Sequence, residues 1–364
     1  MYNELLKIAV CPSCKTSLEL TSFEKGNPPT AGAREAEVIS GVLKCGCGIL
    51  YPVIEGVPRF LEGGIKRFPT FINQFQRDLR SLVNTPELTT DSQPSPANDD
   101  YENIRKSFSQ EWGAGIFDYE NFNTWGWTLE ERKKVVASEL SMKAEELAGK
   151  QLLDAGCGNG TLSAALADLG LTVVGLDLND GLGIAYKSRG KYSPRADAAV
   201  QYMQGNVVYP PLKESCFDVV YSSGVIHHTP DSRKAFETLA RMTKPGGRLY
   251  IWVYGRRNIF VRLFFAWGRN LKNWMSLNSV LRVCRILAPF YKFAASALNA
   301  TGFMKFRSRT VREVTLDLFD AFAPRFNHWH TEAELRSWFE ELGFKNIHLT
   351  SKVRQGLGIY GDKC

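Results

Sequence analysis

The sequence predicts an α/β chain in three parts: a small cysteine-bearing module, a mostly parallel seven-stranded sheet flanked by helices, and a basic helical insert late in that sheet. Three observations predict it. From about Lys150 onward, short apolar runs alternate with helix-like segments, the signature of βαβ units built into a parallel sheet. Two close cysteine pairs, Cys11/Cys14 and Cys45/Cys47, lie within the first 63 residues. Between Arg256 and Arg309 fall eleven Lys or Arg and no Asp or Glu.

A length of 364 residues suits a domain of about 200 residues with an appendage. The composition, 44% hydrophobic and 23% charged, is that of a globular protein, and no apolar run reaches the roughly 18 residues of a membrane span. The opening MYNELLKIAVCPSC lacks the basic start and long apolar middle of a signal peptide, so a cytoplasmic chain with reduced cysteines is expected. Clustered thiols then read as metal ligands. The net charge of +7 belongs to the 256–309 segment, since the other residues together carry about −4.

In chain order, residues 1–63 read as the cysteine module and 64–100 as a helix and linker. The helix is an amphipathic stretch from Phe71 to Val83, and Thr85–Asp100, TPELTTDSQPSPANDD, has too little to bury for a folded element. Residues 101–364 form the sheet domain. Its strands are QLLDAG, TVVGLD, FDVVYSS and RLYIWVY, with weaker ones at VQYMQGN, NIHLT and LGIYG. A late helix is marked by the capping pair Thr331 and Glu334, the apolar face Leu335, Trp338, Phe339 and Leu342, and the stop Gly343.

The first strand runs into Asp154-Ala155-Gly156-Cys157-Gly158-Asn159-Gly160 and then a helix. Glycines there let the backbone turn tightly and lie close against a ligand. The next strand ends in Asp177, placed to accept both hydroxyls of a ribose, with Leu178 after it. Dinucleotide binders use G-x-G-x-x-G to hold a pyrophosphate; here the pattern is D-x-G-x-G-x-G. A carboxylate at Asp154 suits an ammonium-bearing tail, which favours S-adenosylmethionine over NAD.

These residues resemble the nucleotide-binding motif of class I S-adenosylmethionine-dependent methyltransferases, which implies a Rossmann-like fold. The resemblance places the adenine beside Gly205-Asn206 and Val207, although the family has Asp where Asn206 stands. FDVVYSSGVIHHTPD, with Ser223 at its strand end, resembles the family's small-molecule type, and KPGGRLYIWVY looks like its turn into the fifth strand. Methyl transfer depends on orientation and desolvation, and needs a base only where the nucleophile carries a proton. His227 and His228 are the candidate bases, against the alternative that they cap the next helix or pack. His328 and His330 read as packing residues. Tyr119, Trp125 and Trp127 resemble the aromatic flank that covers the cofactor in such enzymes, though core packing explains them equally well. No D/N-P-P-Y/F/W motif follows the fourth strand and Cys216 has no partner motif, so oxygen or carbon acceptors remain.

Cys11-Pro12-Ser13-Cys14 presents two thiolates to one tetrahedral ion, and Cys45-Gly46-Cys47 supplies a second pair at a tighter spacing. A structural zinc is expected, against a ribbon that folds without metal. Over about the first 60 residues the module resembles the Trm112-like zinc-ribbon family, whose members support methyltransferases as partners. A fully ligated site has no open position, which implies folding, docking or presentation rather than catalysis.

In the basic insert, about 256–318, Trp267, Trp274 and several Phe recur among Arg and Lys at helical intervals. This fits a lid that touches an anionic membrane surface, peripherally, or a lipid-linked substrate; the alternative is a lid that only packs on the domain. The expectation is a methyltransferase acting on an oxygen or carbon of a small or lipid-linked molecule. Two alternatives stand beside it: an RNA methyltransferase using ribbon and insert as its footprint, with nucleic acid the less favoured partner, and a scaffold without catalysis.

Overall fold

Strands covered by helices on both faces carry apolar side chains in near-continuous runs, and QLLDA, TVVGLD and FDVVYSS do so in this computed structural model, being buried along almost their whole length. The structure describes residues 1–26, 36–82, 99–112, 127–256, 263, 266–270, 274–300, 309–353 and 356–364. Four short strands come first, β1 (Leu18–Lys25), β2 (Val38–Cys45), β3 (Leu50–Ile54) and β4 (Val57–Pro58), forming an antiparallel sheet in that order. The seven that follow are β5 (Gln151–Ala155), β6 (Thr172–Asp177), β7 (Val200–Gln204), β8 (Phe217–Ser223), β9 (Thr243–Tyr254), β10 (Phe344–Val353) and β11 (Gly356–Lys363). They pair in the order β10-β11-β9-β8-β5-β6-β7, with β11 antiparallel to both its neighbours and β5 to β9 mutually parallel. All seven strands expected from the sequence are present, and the sheet is the Rossmann-like one.

The strand order reverses between β5 and β8, so the connections leaving their carboxyl ends diverge and open a crevice there. Helices α1 (Pro69–Gln74) and α2 (Gln76–Leu82) pack on the first sheet, and α3 (Asp99–Glu111), α4 (Leu129–Glu139), α5 (Thr161–Leu166), α6 (Leu182–Tyr192), α7 (Ser232–Met242), α8 (Leu277–Ala300), α9 (Val311–Phe322) and α10 (Glu332–Glu341) follow. The capping box at α10 forms as read: the Thr331 hydroxyl accepts from the Glu334 amide, and Glu334 accepts from the Thr331 amide.

Three boundaries differ from the sequence reading. The amphipathic stretch is two helices, α1 and α2, parted at Phe75, although Phe71, Phe75 and Leu79 keep one buried stripe and the Phe75 ring packs 5.1 Å from Phe23 and 4.8 Å from Phe71. Asp99 and Asp100, placed in the linker, open α3, where acidic side chains suit the positive end of a helix dipole; residues 83–98 lie outside the described ones. The insert's last helix, α9, continues past 318 to Phe322, because Phe319 and Phe322 are buried against α8 and Trp112.

The first sheet is seated on the second. Arg59, just after β4, bridges Gln204 at the end of β7 in parallel fashion, and the Phe60 amide donates to the Gln204 carbonyl at 2.7 Å. Edge strand β7 is therefore covered where its ladder would otherwise lie open. One apolar cluster runs through both sheets, joining Tyr51, Val53 and Phe60 to Leu153, Leu176 and Met203. Replacing Phe60 with Ala should cost about 3–5 kcal/mol, and denaturant-dependent hydrogen exchange should show β2 and β6 losing protection together. Separate transitions would show two independent cores.

Candidate active site

Gly156, Gly158 and Gly160 take φ values of +86°, +56° and +72°, the left-handed region that a side chain disfavours. Space excludes a side chain as well: a Cβ on Gly156 would lie 2.1 Å from Val225, and one on Gly160 2.7 Å from Ala185 and Tyr202. The loop is locked to the turn after β6. Asp177 accepts the Gly158 amide at 2.8 Å through Oδ2 and the Asn179 amide at 2.9 Å through Oδ1, while Asn179 Nδ2 returns a bond to the Gly158 carbonyl at 2.9 Å. Asp154 is buried beneath the loop and accepts from the Ser163 hydroxyl at 2.5 Å; burial raises its carboxyl to about 6. Burial likewise raises Asp177, against its backbone donors, and pushes the Cys157 thiol well up.

Leu178 offers its carbonyl to Gln204 Nε2 at 3.0 Å, and the same amide reaches Asp180 Oδ1 at 2.8 Å. Gln204 Oε1 in turn accepts from Arg59 Nη1 at 3.2 Å. Asn206 is half-buried, with its Oδ1 accepting the Val208 amide at 2.9 Å, and Val207 is buried beside it. Ser223 ends β8 half-buried. The sequence-named residues of the nucleoside half thus gather at the carboxyl ends of β5, β6, β7 and β8.

His227 and His228 form a single turn after β8 and are both buried. Their surroundings differ. His227 packs its ring 4.1 Å from that of Tyr254. His228 Nδ1 lies 3.0 Å from the Phe326 carbonyl, which can only accept, so Nδ1 carries the proton and Nε2 the lone pair. Nε2 faces Asp320 Oδ1 at 3.6 Å, and the Tyr254 hydroxyl donates to Asp320 Oδ2 at 2.6 Å. Burial lowers the His228 pKa below its ordinary value and the Asp320 charge partly offsets this, leaving a neutral imidazole near pH 7. His328 Nε2 lies 3.0 Å from the Thr229 carbonyl and His330 Nδ1 3.1 Å from the Glu334 carboxylate. Tyr119 and Trp125 lie outside the described residues; Trp127 is exposed at the start of α4.

Sequence reasoning missed Asp320, Asn179, Glu111 and Trp112. Asn179 had a signal, since an Asn that accepts the amide two residues on, here Gly181 at 2.8 Å, is a turn former. Trp112 lies on the glycine loop, where a Cβ at Gly158 would be 3.0 Å from its indole.

The four thiols of Cys11, Cys14, Cys45 and Cys47 all lie within 4.8 Å of one another, with Cys14–Cys45 at 3.3 Å and Cys11–Cys47 at 3.9 Å. Ligand sulfurs on a tetrahedral zinc are about 3.8 Å apart for bonds of about 2.3 Å. The donor set fits that ion, including the tight C-x-C pair.

Residues 153–251, spanning β5 to β9, match the methyltransferase domain family. A ubiquinone biosynthesis O-methyltransferase of Pectobacterium carotovorum is 31% identical over 138 residues, 37% of this chain and 51% of that protein. One from Pseudomonas fluorescens is 35% identical over 114 residues, 30% of this chain and 47% of the relative. The chain thus spans about half the length of the curated relatives it matches. Among solved structures, magnesium protoporphyrin IX methyltransferase from Synechocystis PCC 6803 with bound SAH aligns with a TM-score of 0.44 at 16% identity, covering 73% of this chain and all of that one.

Because Asp320 raises His228 through its charge, Asp320→Asn should move the His228 titration to still lower pH in an NMR titration of the imidazole proton. An unchanged midpoint would show that the carboxylate and the ring are uncoupled.

Proposed function

We propose that this chain, in which residues 153–251 form a methyltransferase domain, transfers the methyl group of S-adenosylmethionine to a small or lipid-linked molecule. The observation that carries the reading is the glycine cradle locked to Asp177, with a neutral, base-competent imidazole beyond it. Asp177 keeps lone pairs for the ribose hydroxyls, Asp154 supplies negative charge below the loop, and Asn206 and Val207 flank the adenine. S-adenosylmethionine supplies an electrophilic methyl on sulfur. Its acceptor is an oxygen or a carbon, and the O-methyltransferase relatives support oxygen. His228 Nε2 takes the acceptor's proton, Asp320 stabilises the imidazolium, and Tyr254 fixes Asp320 in place. His227 packs against the His228 ring at a tilt, with the centroids 4.1 Å apart.

The cysteine cluster holds a structural zinc in this reading, in a ribbon module of about residues 1–63. The insert meets an anionic membrane surface. Along α8, Ile286, Phe290 and Phe293 are 64%, 70% and 77% exposed, interleaved with exposed Arg282, Arg285 and Lys292, and Trp274 before it is 89% exposed. Aromatic side chains beside cations, with no acid to repel lipid phosphates, suit an interfacial helix. No helix among the described residues is long and apolar enough to cross a membrane.

Calorimetric titration of S-adenosylmethionine into metal-analysed protein should show binding to the wild type, loss of binding in Asp177→Ala, and about one zinc per chain. A wild type that does not bind would sink the enzyme reading. For the insert, Phe290→Ser with Phe293→Ser should weaken sedimentation with phosphatidylglycerol vesicles about tenfold or more, each ring being worth about 1.5–3 kcal/mol when buried. Equal sedimentation would leave the insert as a packed lid, and retention of RNA instead would point to a nucleic-acid partner.

A further inference from the structure

A buried carboxylate outside every sequence motif lies between the two halves of the site. Glu111 ends α3, is 1% exposed, and its Oε1 has no hydrogen-bond partner. It forms no ion pair among the described residues. Two acids act on it by charge, Asp177 from the end of β6 in the nucleoside half and Asp320 from α9 in the acceptor half. The chain on either side of it touches both halves too. Trp112 lies on Gly158, and Phe108, one turn earlier, meets the His228 ring at 5.5 Å. The last turn of α3 is therefore a wall shared by the glycine loop and the base.

A buried acid with like charges on two sides and one oxygen without a hydrogen-bond partner is disfavoured as a charge, which favours its protonated form in the absence of a cation. Burial raises the Glu111 carboxyl well above the carboxylate range, and Asp320 and Asp177 add to the shift. Asp177 from β6 and Asp320 from α9 act on it by charge; across Phe108 lies the neutral His228 from the turn after β8, on which Arg269, its Nη1 buried without a hydrogen-bond partner, acts from the insert. In a methyl donor held by its nucleoside on the glycine loop, the ammonium end belongs with Asp154. The sulfur must sit at the junction of nucleoside and acceptor, the place that Glu111 borders.

We infer that Glu111 is the counter-charge for the cofactor's sulfonium, so that the site distinguishes the methyl donor from its demethylated product. The inference rests on the proposed function. In the reaction the acceptor oxygen bonds to the methyl carbon as the carbon–sulfur bond breaks, the bonding pair stays on sulfur, and the acceptor's proton passes to His228. Sulfur is then neutral and Glu111 has lost its partner, which favours reprotonation and product release. A carboxylate paired with a charge that disperses on transfer stabilises the bound donor more than the transition state, so it raises affinity and not the rate of the chemical step.

The test is calorimetric titration of S-adenosylmethionine and S-adenosylhomocysteine into the full chain and into Glu111→Gln, in two buffers of different ionisation enthalpy near pH 7. The wild type should release close to one proton with the sulfonium ligand and markedly less with the thioether. Glu111→Gln should weaken the sulfonium ligand on the order of tenfold or more, leave the thioether within about twofold, and abolish the difference in proton release. Glu111→Asp, which keeps the charge, should keep the preference. Equal weakening of both ligands, or an unchanged affinity for the donor, would overturn the inference. If Glu111→Gln does not fold, wild-type proton release decides alone, and equal release with both ligands overturns it. A wild type that binds neither ligand removes the reading on which the inference rests.

Discussion

The peptide groups flanking Gly158 are gripped from both sides by the turn after β6, with the amide taken by Asp177 and the carbonyl by Asn179. The rest of the site depends on this grip. It fixes two loops that leave adjacent parallel strands, it holds Asp177 in one orientation despite burial, and it leaves a flat glycine face on which Trp112 can rest. Hydrogen bonds to a buried charge contribute about 1.5–3 kcal/mol each, so two amides on one carboxylate offset a sizeable part of the loop's conformational entropy. The position of α3 follows from that face. It is tied down further by the Arg105 ion pair to Asp180 and by the Ser107 hydroxyl on the Ala323 carbonyl at 3.2 Å.

The parts legible in the sequence were those whose physics is local. Each strand of the parallel sheet is apolar on both faces over a few residues, the glycine loop and Asp177 sit at fixed offsets from strand ends, and the Thr331/Glu334 cap lies within one helical turn. What stayed hidden arises from segments far apart in the chain. Nothing in FSQEW says that its acid is buried, because that depends on α3 meeting α9 and the turn after β8. Asp320 reads as an ordinary acid in a helix until Tyr254 and His228 converge on it. Two adjacent histidines are equivalent as letters. Only the Phe326 carbonyl, 98 residues away, assigns a tautomer to one of them.

The same division explains the misplaced boundaries. Phe75 parts α1 from α2 through its own backbone, at φ −109° and ψ 27°, while its ring keeps to the stripe of Phe71 and Leu79, and α9 runs on because Phe322 finds Trp112 and α8. An apolar stripe marks where a helix can bury itself and leaves open what stands opposite. In α8 little of the body stands opposite the second half, and from Pro289 to Ala294 every side chain is exposed.

The covered edge at β7 bears on how the chain acquires its shape during synthesis. The Arg59–Gln204 contact joins residues 145 positions apart, so on a ribosome adding about 5–20 residues each second the first sheet waits roughly 7–30 s for the strand that completes its seat. Over that interval Tyr51, Val53 and Phe60 wait for Leu153, Leu176 and Met203, which arrive one strand at a time. Were the four clustered thiols to close on a metal early, they would hold the four small strands together over the wait, a kinetic value that the finished fold would conceal.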